Sequence, residues 1–392
     1  MTALIREYRE NDRRQVGMIW SAAFDAGQPN PNVDNPDVRL DLRSPEEDAQ
    51  VFVADEDGLV AGAFQIFYTP MTCRGVLFKC GGVSGVAVTP AARKRHIGSA
   101  MMTHAIKHMH GTGETMSNLH AAHEIFYRRF GWECCGRDVR VTCPVPLFPK
   151  MDCSLPVRQI EVDDWTPLDA AYEKFSYRYS GMRTSRKGFG LSRLTQTSGT
   201  PPFVFAAGDP VEAYALLRLT RNDDLDVIEF VWATLEGYES MLATLAGVGI
   251  NRQTITWAEP SNGPFLSSKW FTRGMTARLP NPSMFRVINV PDSLTRLSST
   301  ESGSFTMVVD DEILPSNRGP WRVSFSPEGI RVQPTDNGDL HLDIRQYTQA
   351  WLGEPSLENL LEHGFVSCSS AEAVKAATAL LPPKTTYTLE YY

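Results

Sequence analysis

Apolar positions along the chain change their period repeatedly, and the changes divide it into units. Over residues 9–24, Val16, Ile19, Trp20, Ala23 and Phe24 recur at helical spacing, which predicts a helix with one buried face. Apolar runs from Val51 and over 59–68 flank Asp57-Gly58, a pair suited to a tight turn, and predict an antiparallel hairpin. Strands are predicted over 76–79 and 83–88, a helix over 98–110, a short helix over 121–130 and a strand from Trp132. Pro144, Pro146, Pro149 and Pro156 then remove backbone donors, which places a domain boundary near 150.

From Val157 the rhythm repeats, with a helix over 165–180, strands over 203–206, 213–220 and 227–234, and a helix over 238–245. After about Asn289 the pattern differs. Strands are predicted over 303–309, 321–325, 329–333 and 340–344, helices over 345–352, 357–361 and 371–380, and a last strand over 385–392. The expectation is an α/β (α+β layered) chain with domains at 1–150, 151–290 and 291–392, the second a degenerate repeat of the first.

Composition narrows the class. The chain has 392 residues, more than one core usually serves, and its 42% hydrophobic and 21% charged residues are those of an ordinary globular protein. A formal net charge of -8 argues against nucleic-acid or anionic-membrane partners and suits a cationic small molecule. Seven cysteines without a Cys-x-x-Cys pair indicate neither a disulfide framework nor a zinc site. Charges at Arg6 and Glu7, where a signal peptide is apolar, and the lack of a long apolar run lead us to expect a cytoplasmic protein.

The chemistry concentrates between residues 86 and 100. Val86-Ala87-Val88 reads as a strand whose backbone can pair with an amide chain, and Pro90 closes it. Arg93, Lys94 and Arg95 bring positive charge to the turn, and a helix starting near His96-Ile97-Gly98-Ser99 presents free N–H groups to an anion. Together these serve a pantetheine, a pyrophosphate and a thioester. The corresponding place in the second unit, after Ile228–Trp232 in sequence, has no basic, glycine-containing loop.

The run Gly85-Val86-Ala87-Val88-Thr89-Pro90-x-x-Arg93-x-Arg95-x-Ile97-Gly98-Ser99-Ala100 resembles the acetyl-CoA motif of the GNAT superfamily, Arg/Gln-x-x-Gly-x-Gly/Ala after a strand. In the frame that starts at Arg93, His96 stands where the first glycine is expected. Farther on, Phe126-Tyr127-Arg128-Arg129-Phe130-Gly131-Trp132 resembles a segment of the Eis-like (enhanced intracellular survival) acetyltransferases. That resemblance covers the whole chain. It implies a GNAT domain, a degenerate GNAT domain and a sterol-carrier-like domain whose C-terminus enters the active site.

It also implies roles. Acetyl-CoA is the cosubstrate, held by Val86, Ala87, Val88, Arg93, Lys94, Arg95, His96, Ile97, Gly98 and Ser99, with Ala122 and His123 where the family has a Ser-Glu pair. Tyr127 is the general acid and the terminal carboxylate of Tyr392 the general base. Glu390, compared with the family's acidic residue near the end of the chain, and Asp25, from its own place just after Phe24 on the first helix, are the expected contacts to a cationic acceptor, which the resemblance implies is an aminoglycoside, polyamine or lysine; the resemblance also implies a homohexamer.

Rival chemistries find less in the sequence. His104 and His108 share a helix face beside His110, but no Glu completes a metalloprotease pattern, and exposed helix histidines without a metal are expected. Cys134-Cys135 has no paired base at a recognisable spacing. A different class, a lipid-binding or interaction protein with a vestigial acetyltransferase unit, would have lost Arg93, Gly98 or Tyr127, and all three are present.

Overall fold

The computed structural model describes residues 3–24, 49–160, 166–184, 203–219, 224–268, 270–280 and 283–389. The first unit runs β1 (Leu4–Glu7), α1 (Arg13–Phe24), β2 (Ala49–Glu56), β3 (Leu59–Tyr68), a small hairpin β4 (Met71–Cys73) and β5 (Val76–Phe78), β6 (Cys80–Val88), α2 (Ile97–Thr112), β7 (Met116–Leu119), α3 (Glu124–Arg128) and β8 (Glu133–Cys134). Asp57 and Gly58 both take positive φ, as a tight hairpin turn requires, and Asp55 accepts the Gly58 N–H at 2.7 Å. The first helix starts later than its apolar spacing suggests. Asp12 accepts the Arg9 N–H at 2.8 Å and pairs with Arg6 at 2.7 Å, which holds Glu10–Asp12 in a tighter turn before α1.

The sheet is covered on both faces. Val16, Ile19 and Trp20 of α1 pack on Val51, Val53 and Ala63, while Met101, Met102, Ile106 and Met109 of α2 pack on Phe52, Phe64 and Ile66. His104 and His108, expected to be exposed, are half-buried instead. Their rings stack 6.0 Å apart and meet Phe52 edge-on, and His108 bonds Gln50 at 2.9 Å. Burial lowers both their pKa values, so they belong to the packing between α2 and β2.

The second unit comprises β9 (Asp138–Pro144), β10 (Val157–Ile160), α4 (Thr166–Ser176), β11 (Phe203–Ala207), β12 (Ala213–Leu219), β13 (Leu225–Trp232), α5 (Leu235–Val248), β14 (Thr254–Pro260), α6 (Pro264–Ser267) and β15 (Thr276–Arg278). After β16 (Met284–Val287) the third unit follows: α7 (Val290–Thr295), β17 (Gly303–Asp310), β18 (Trp321–Ser326), β19 (Gly329–Pro334), β20 (Leu340–Asp343), α8 (Ile344–Leu352), α9 (Leu357–Glu362), β21 (Ser367–Cys368) and α10 (Ala371–Leu380).

Strand order is β1-β2-β3-β6-β7-β16-β8 in the first sheet, β10-β11-β12-β13-β14-β9-β15 in the second and β19-β18-β17-β20-β21 in the third. The sheets therefore do not change at residues 150 and 290. β9, expected in the first domain, joins the second sheet beside β14, and β16 returns from the second unit to lie beside β7. The exchange follows burial: Val139, Val141 and Cys143 complete the second core, whereas Met284–Val287 is buried at every residue and fits only a central position.

The interior of the third unit is filled by side chains, with Trp351, Tyr347, Phe305 and Val323 continuous with Phe78, Phe285 and Val287 of the first sheet and its hairpin. Arg74, at the hairpin turn, donates to the carbonyls of Trp351 at 2.7 Å and Ala350 at 3.0 Å, satisfying the end of α8. The strand predicted over 385–392 reduces, within the described residues, to one bridge between Ser180 and Thr386. The Thr386 N–H goes to the Glu354 carboxylate at 3.0 Å, which interrupts a ladder, and Tyr387 packs on Phe175 and Tyr179. No helix among the described residues is long and apolar enough to cross a membrane.

Candidate active site

Parallel strands β6 and β7 pair only where Cys80–Gly82 meets Met116–Asn118, and beyond that they part. On its other side β6 stays with β3 but is bulged, Ser84 facing Gln65 and Ala87 facing Ala63. Gly85 sits in this bulge at φ +62, and its carbonyl accepts the Trp20 indole N–H at 2.6 Å. A side chain there would meet the Trp20 ring at 3.2 Å, so the bulge requires glycine. The fork opens a cavity of about 670 Å³ between β6, α2 and the segment from His120 to Arg129.

One wall is the start of α2. Ala100 makes the first helical bond, to the His96 carbonyl, and the His96 side chain supplies no cap. The N–H groups of Ile97, Gly98 and Ser99 therefore face the cavity without acceptors among the described residues. Lys94 at φ +64 and His96 at φ +61 wind the preceding loop. His96 thus keeps the left-handed backbone that its glycine counterpart in the resembling motif would favour, and only the imidazole is added. Arg93, Lys94 and Arg129 line the same cavity, so the helix start combines free N–H groups with positive charge, the combination that suits an anion. Gly98 keeps the wall open, since a Cβ would stand 3.2 Å from Phe126 and 4.0 Å from Val88.

Opposite lies Tyr127 on α3, its ring edge-on to Phe126 at 5.0 Å and to Trp132 at 6.3 Å. Trp132 is fully buried and donates to Ser117 at 3.2 Å, and Ser117 donates to the Gly81 carbonyl at 2.7 Å, next to the parting of the strands. Tyr127 is thereby referenced to the fork. Burial pushes its pKa up to about 12, so the phenol holds its proton at neutral pH. His120 lines the same cavity, and burial lowers its pKa against the opposing charges of Asp138 and Glu124.

Most predicted site residues meet here: Val86, Val88, Arg93, Lys94, His96, Ile97, Gly98, Ser99, Ala122, His123 and Tyr127 all line the cavity. Two side chains do not. Ala87 alternates to the opposite face of β6 and is buried with Val16 and Trp20, and Arg95 turns away to pair with Glu56 at 2.7 Å. Asp25, Glu390 and Tyr392 lie outside the described residues. Phe24, Val83, Ser84, His120, Phe126 and Arg129 line the cavity without having been singled out, and Arg129 stacks over Phe126 at 5.1 Å. The signal available for Arg129 was a cation two residues after Tyr127, while the adjacent Arg128 pairs with Glu133 at 2.8 Å. No group of three His, Cys, Asp or Glu among the described residues is placed to hold a metal. Cys134 and Cys135 have pKa values raised by burial, which suppresses the thiolate.

The second unit shows the same fork closed. β13 and β14 pair only at Leu225–Ile255 and Asp226–Thr256, but rings from four elements fill the gap beyond. Trp232 meets Tyr238 at 4.9 Å, Tyr238 meets Trp270 at 6.0 Å, and Trp257 meets Phe265 at 4.7 Å. Its helix start is sealed as well: Thr234 caps α5 by accepting the Gly237 N–H at 3.0 Å, and Thr234 donates to the carboxylate of Glu212.

Residues 4–135 match the acetyltransferase (GNAT) domain family, and residues 290–389 match the sterol carrier protein domain family. An uncharacterized N-acetyltransferase of Streptomyces avermitilis is 24% identical over 373 residues, 85% of this chain and 86% of the relative. A probable N-acyltransferase of Enterococcus faecalis has the same fold, with a TM-score of 0.87 at 16% identity and 100% of both chains covered. Eis1 of Mycobacterium abscessus has a TM-score of 0.81 at 19% identity, covering 99% of this chain and 100% of that one. The chain thus carries an acetyltransferase (GNAT) domain at its head and a sterol carrier protein domain at its end, on the fold that Eis1 of Mycobacterium abscessus also has.

Proposed function

We propose that the enzyme transfers acetyl from acetyl-CoA to the amino group of a cationic acceptor, an aminoglycoside, a polyamine or a lysine side chain, by direct attack in a ternary complex. The observation that carries this reading is one cavity holding both an uncapped helix start ringed by Arg93, Lys94 and Arg129 and a phenol, Tyr127, kept protonated by burial. The N–H groups of Ile97, Gly98 and Ser99 and the neighbouring cations hold the pyrophosphate, and the free edge of β6 over Val83–Val88 in sequence pairs with the pantetheine amides. Cofactor and acceptor reaching the fork together make a covalent acetyl-enzyme unnecessary. The buried cysteines, with raised pKa values, are poor nucleophiles for one.

As the amine attacks the thioester carbonyl, the C–S bond breaks and Tyr127 gives its proton to the departing sulfur. The ammonium, with a pKa of about 10.4, is mostly protonated at neutral pH and must lose one proton to a base before it attacks; the second proton leaves the nitrogen as the amide forms and restores the Tyr127 phenol. The resemblance supplies Tyr392 as the acceptor of the first proton, and His120, neutral in the cavity wall, is a second group suited to receive it. Asp25 and Glu390 are the proposed grips on the acceptor's remaining positive charge, in keeping with the net charge of -8. A homohexamer is proposed on the resemblance alone.

Acetyl-CoA consumption against aminoglycosides, polyamines and lysine peptides tests the acceptor class, and turnover confined to neutral or anionic amines would overturn it. Residues added after Tyr392 should abolish turnover while leaving acetyl-CoA binding intact. A fully active extended enzyme excludes a terminal-carboxylate base.

A further inference from the structure

Arg286 on β16 is 1% exposed, and its side chain is tied to two units at once. Nη2 donates to both oxygens of Asp311 at 2.8 and 2.7 Å, and Nη1 donates to the Phe130 carbonyl at 2.7 Å. Phe130 closes the turn out of α3, its own N–H bonding the Tyr127 carbonyl at 2.9 Å. Gly131 follows at φ +85, and a Cβ there would lie 1.7 Å from Arg286 Nη1, so a glycine makes room for the guanidinium. Asp311, just after β17, is itself fixed by the N–H groups of Ile313 and Leu314 and by Asn317, which in turn bonds Val290 and Ile288.

A buried ion pair is weak support for stability, since well-packed apolar residues of the same volume often do as well. This one also leaves Arg286 Nε without a partner. What the pair does supply is direction: a rigid donor aimed at one carbonyl three residues beyond Tyr127. We propose that Arg286 and Asp311 are positioning residues through which the sterol-carrier-like unit sets the turn that carries Tyr127. The inference rests on Tyr127 being the general acid.

The test uses the full-length enzyme, with acetyl-CoA and an amine acceptor taken from the consumption screen, and compares Arg286→Met/Asp311→Asn with Tyr127→Phe and with the triple variant. The double substitution removes both charges together and so avoids an unpaired buried charge. Arg286→Lys, which keeps the charge but cannot fork to both partners, is the second variant should the first not fold. Expected are a fall in kcat of at least tenfold for the double variant, an acetyl-CoA Kd within threefold of the wild type, and a triple variant no slower than Tyr127→Phe alone. Arg286→Lys should fall between.

A readout independent of turnover comes from replacing Tyr127 with 3-fluorotyrosine, whose ¹⁹F resonance and titration midpoint should move in the brace variant. A folded brace variant with wild-type kcat and an unmoved resonance overturns the proposal, as does a kcat loss that multiplies with that of Tyr127→Phe. If Tyr127→Phe retains kcat while the resonance moves, the acid assignment fails and the brace stands.

Discussion

Replacing Tyr127 by Phe tests the proposed proton donation apart from everything else the residue does. No partner for its hydroxyl is present among the described residues, so removing that oxygen orphans no other group. The ring keeps its edge contacts with Phe126 at 5.0 Å and Trp132 at 6.3 Å. Stability should therefore stay within about 0.5 kcal/mol of the wild type. Loss of a general acid typically lowers the rate by about 10²–10⁴, or roughly 2.7–5.4 kcal/mol at about 1.36 kcal/mol per decade. The assay is steady-state release of CoA thiol, with acetyl-CoA affinity measured separately by calorimetry.

The pH profile adds a check whose sign is fixed. An acid works while protonated, and with the phenol near 12 only about 0.1% is ionised at pH 9, against about 10% for an ordinary tyrosine. Wild-type kcat should show no alkaline loss from Tyr127 up to about pH 9. A Phe variant that retains kcat within twofold, or that loses acetyl-CoA affinity as steeply as kcat, refutes the assignment.

Gly98→Val should leave α2 folded, with a stability change of at most about 1 kcal/mol. Its branches would crowd Phe126, already 3.2 Å from an added Cβ, and an acetyl-CoA Kd raised less than tenfold would show that this wall does not face the cosubstrate. Glu259 gives a prediction about stability alone. It is fully buried, and burial pushes its pKa up from 4.5 to about 7 despite the Tyr238 hydroxyl, which donates to it at 3.3 Å. The folded state binds its proton more tightly, so this contribution is complete below about pH 4.5 and is lost as pH rises through about 7, some 3 kcal/mol in all. Melting curves at pH 5 and pH 8 should show the wild type losing more stability than Glu259→Gln, and parallel losses would contradict the burial argument.

Legibility in the sequence followed the range of the forces involved. The Asp57-Gly58 hairpin, the strand ending at Val88 and the α2 start rest on local backbone preferences and could be read along the chain. The exchange of β9 and β16 could not, because Val139, Val141 and Cys143 would satisfy either core and only the second has the gap beside β14. In the basic loop, Arg93 and Arg95 look equivalent. Positive φ at Lys94 and His96 winds the chain between and after them, leaving Arg93 at the cavity and Arg95 on Glu56. His120 and Phe126 reach the cavity because the strands part after Gly82, a consequence of sheet twist and bulge that no spacing records.

The two forks differ in what they offer a cosubstrate. Both have a strand that leaves its parallel neighbour after two or three residue pairs and a helix starting just beyond. In both, the N–H after the strand bonds a carbonyl on the adjacent strand or its entry, Thr89 to Ala61 and Ala233 to Glu212. The difference lies in what meets the helix start. In the first unit His96 leaves three N–H groups uncapped, and the nearby charges are Arg93 and Lys94. In the second, Thr234 satisfies the helix internally, Glu212 brings the wrong charge, and Arg178 donates to the Trp232 carbonyl at 3.0 Å and to that of Ala233. A cap, a carboxylate and five aromatic rings each remove something that a pyrophosphate or a pantetheine needs. Reversing any one of them leaves the other two in place, so a single substitution should not restore acetyl-CoA binding to the second unit.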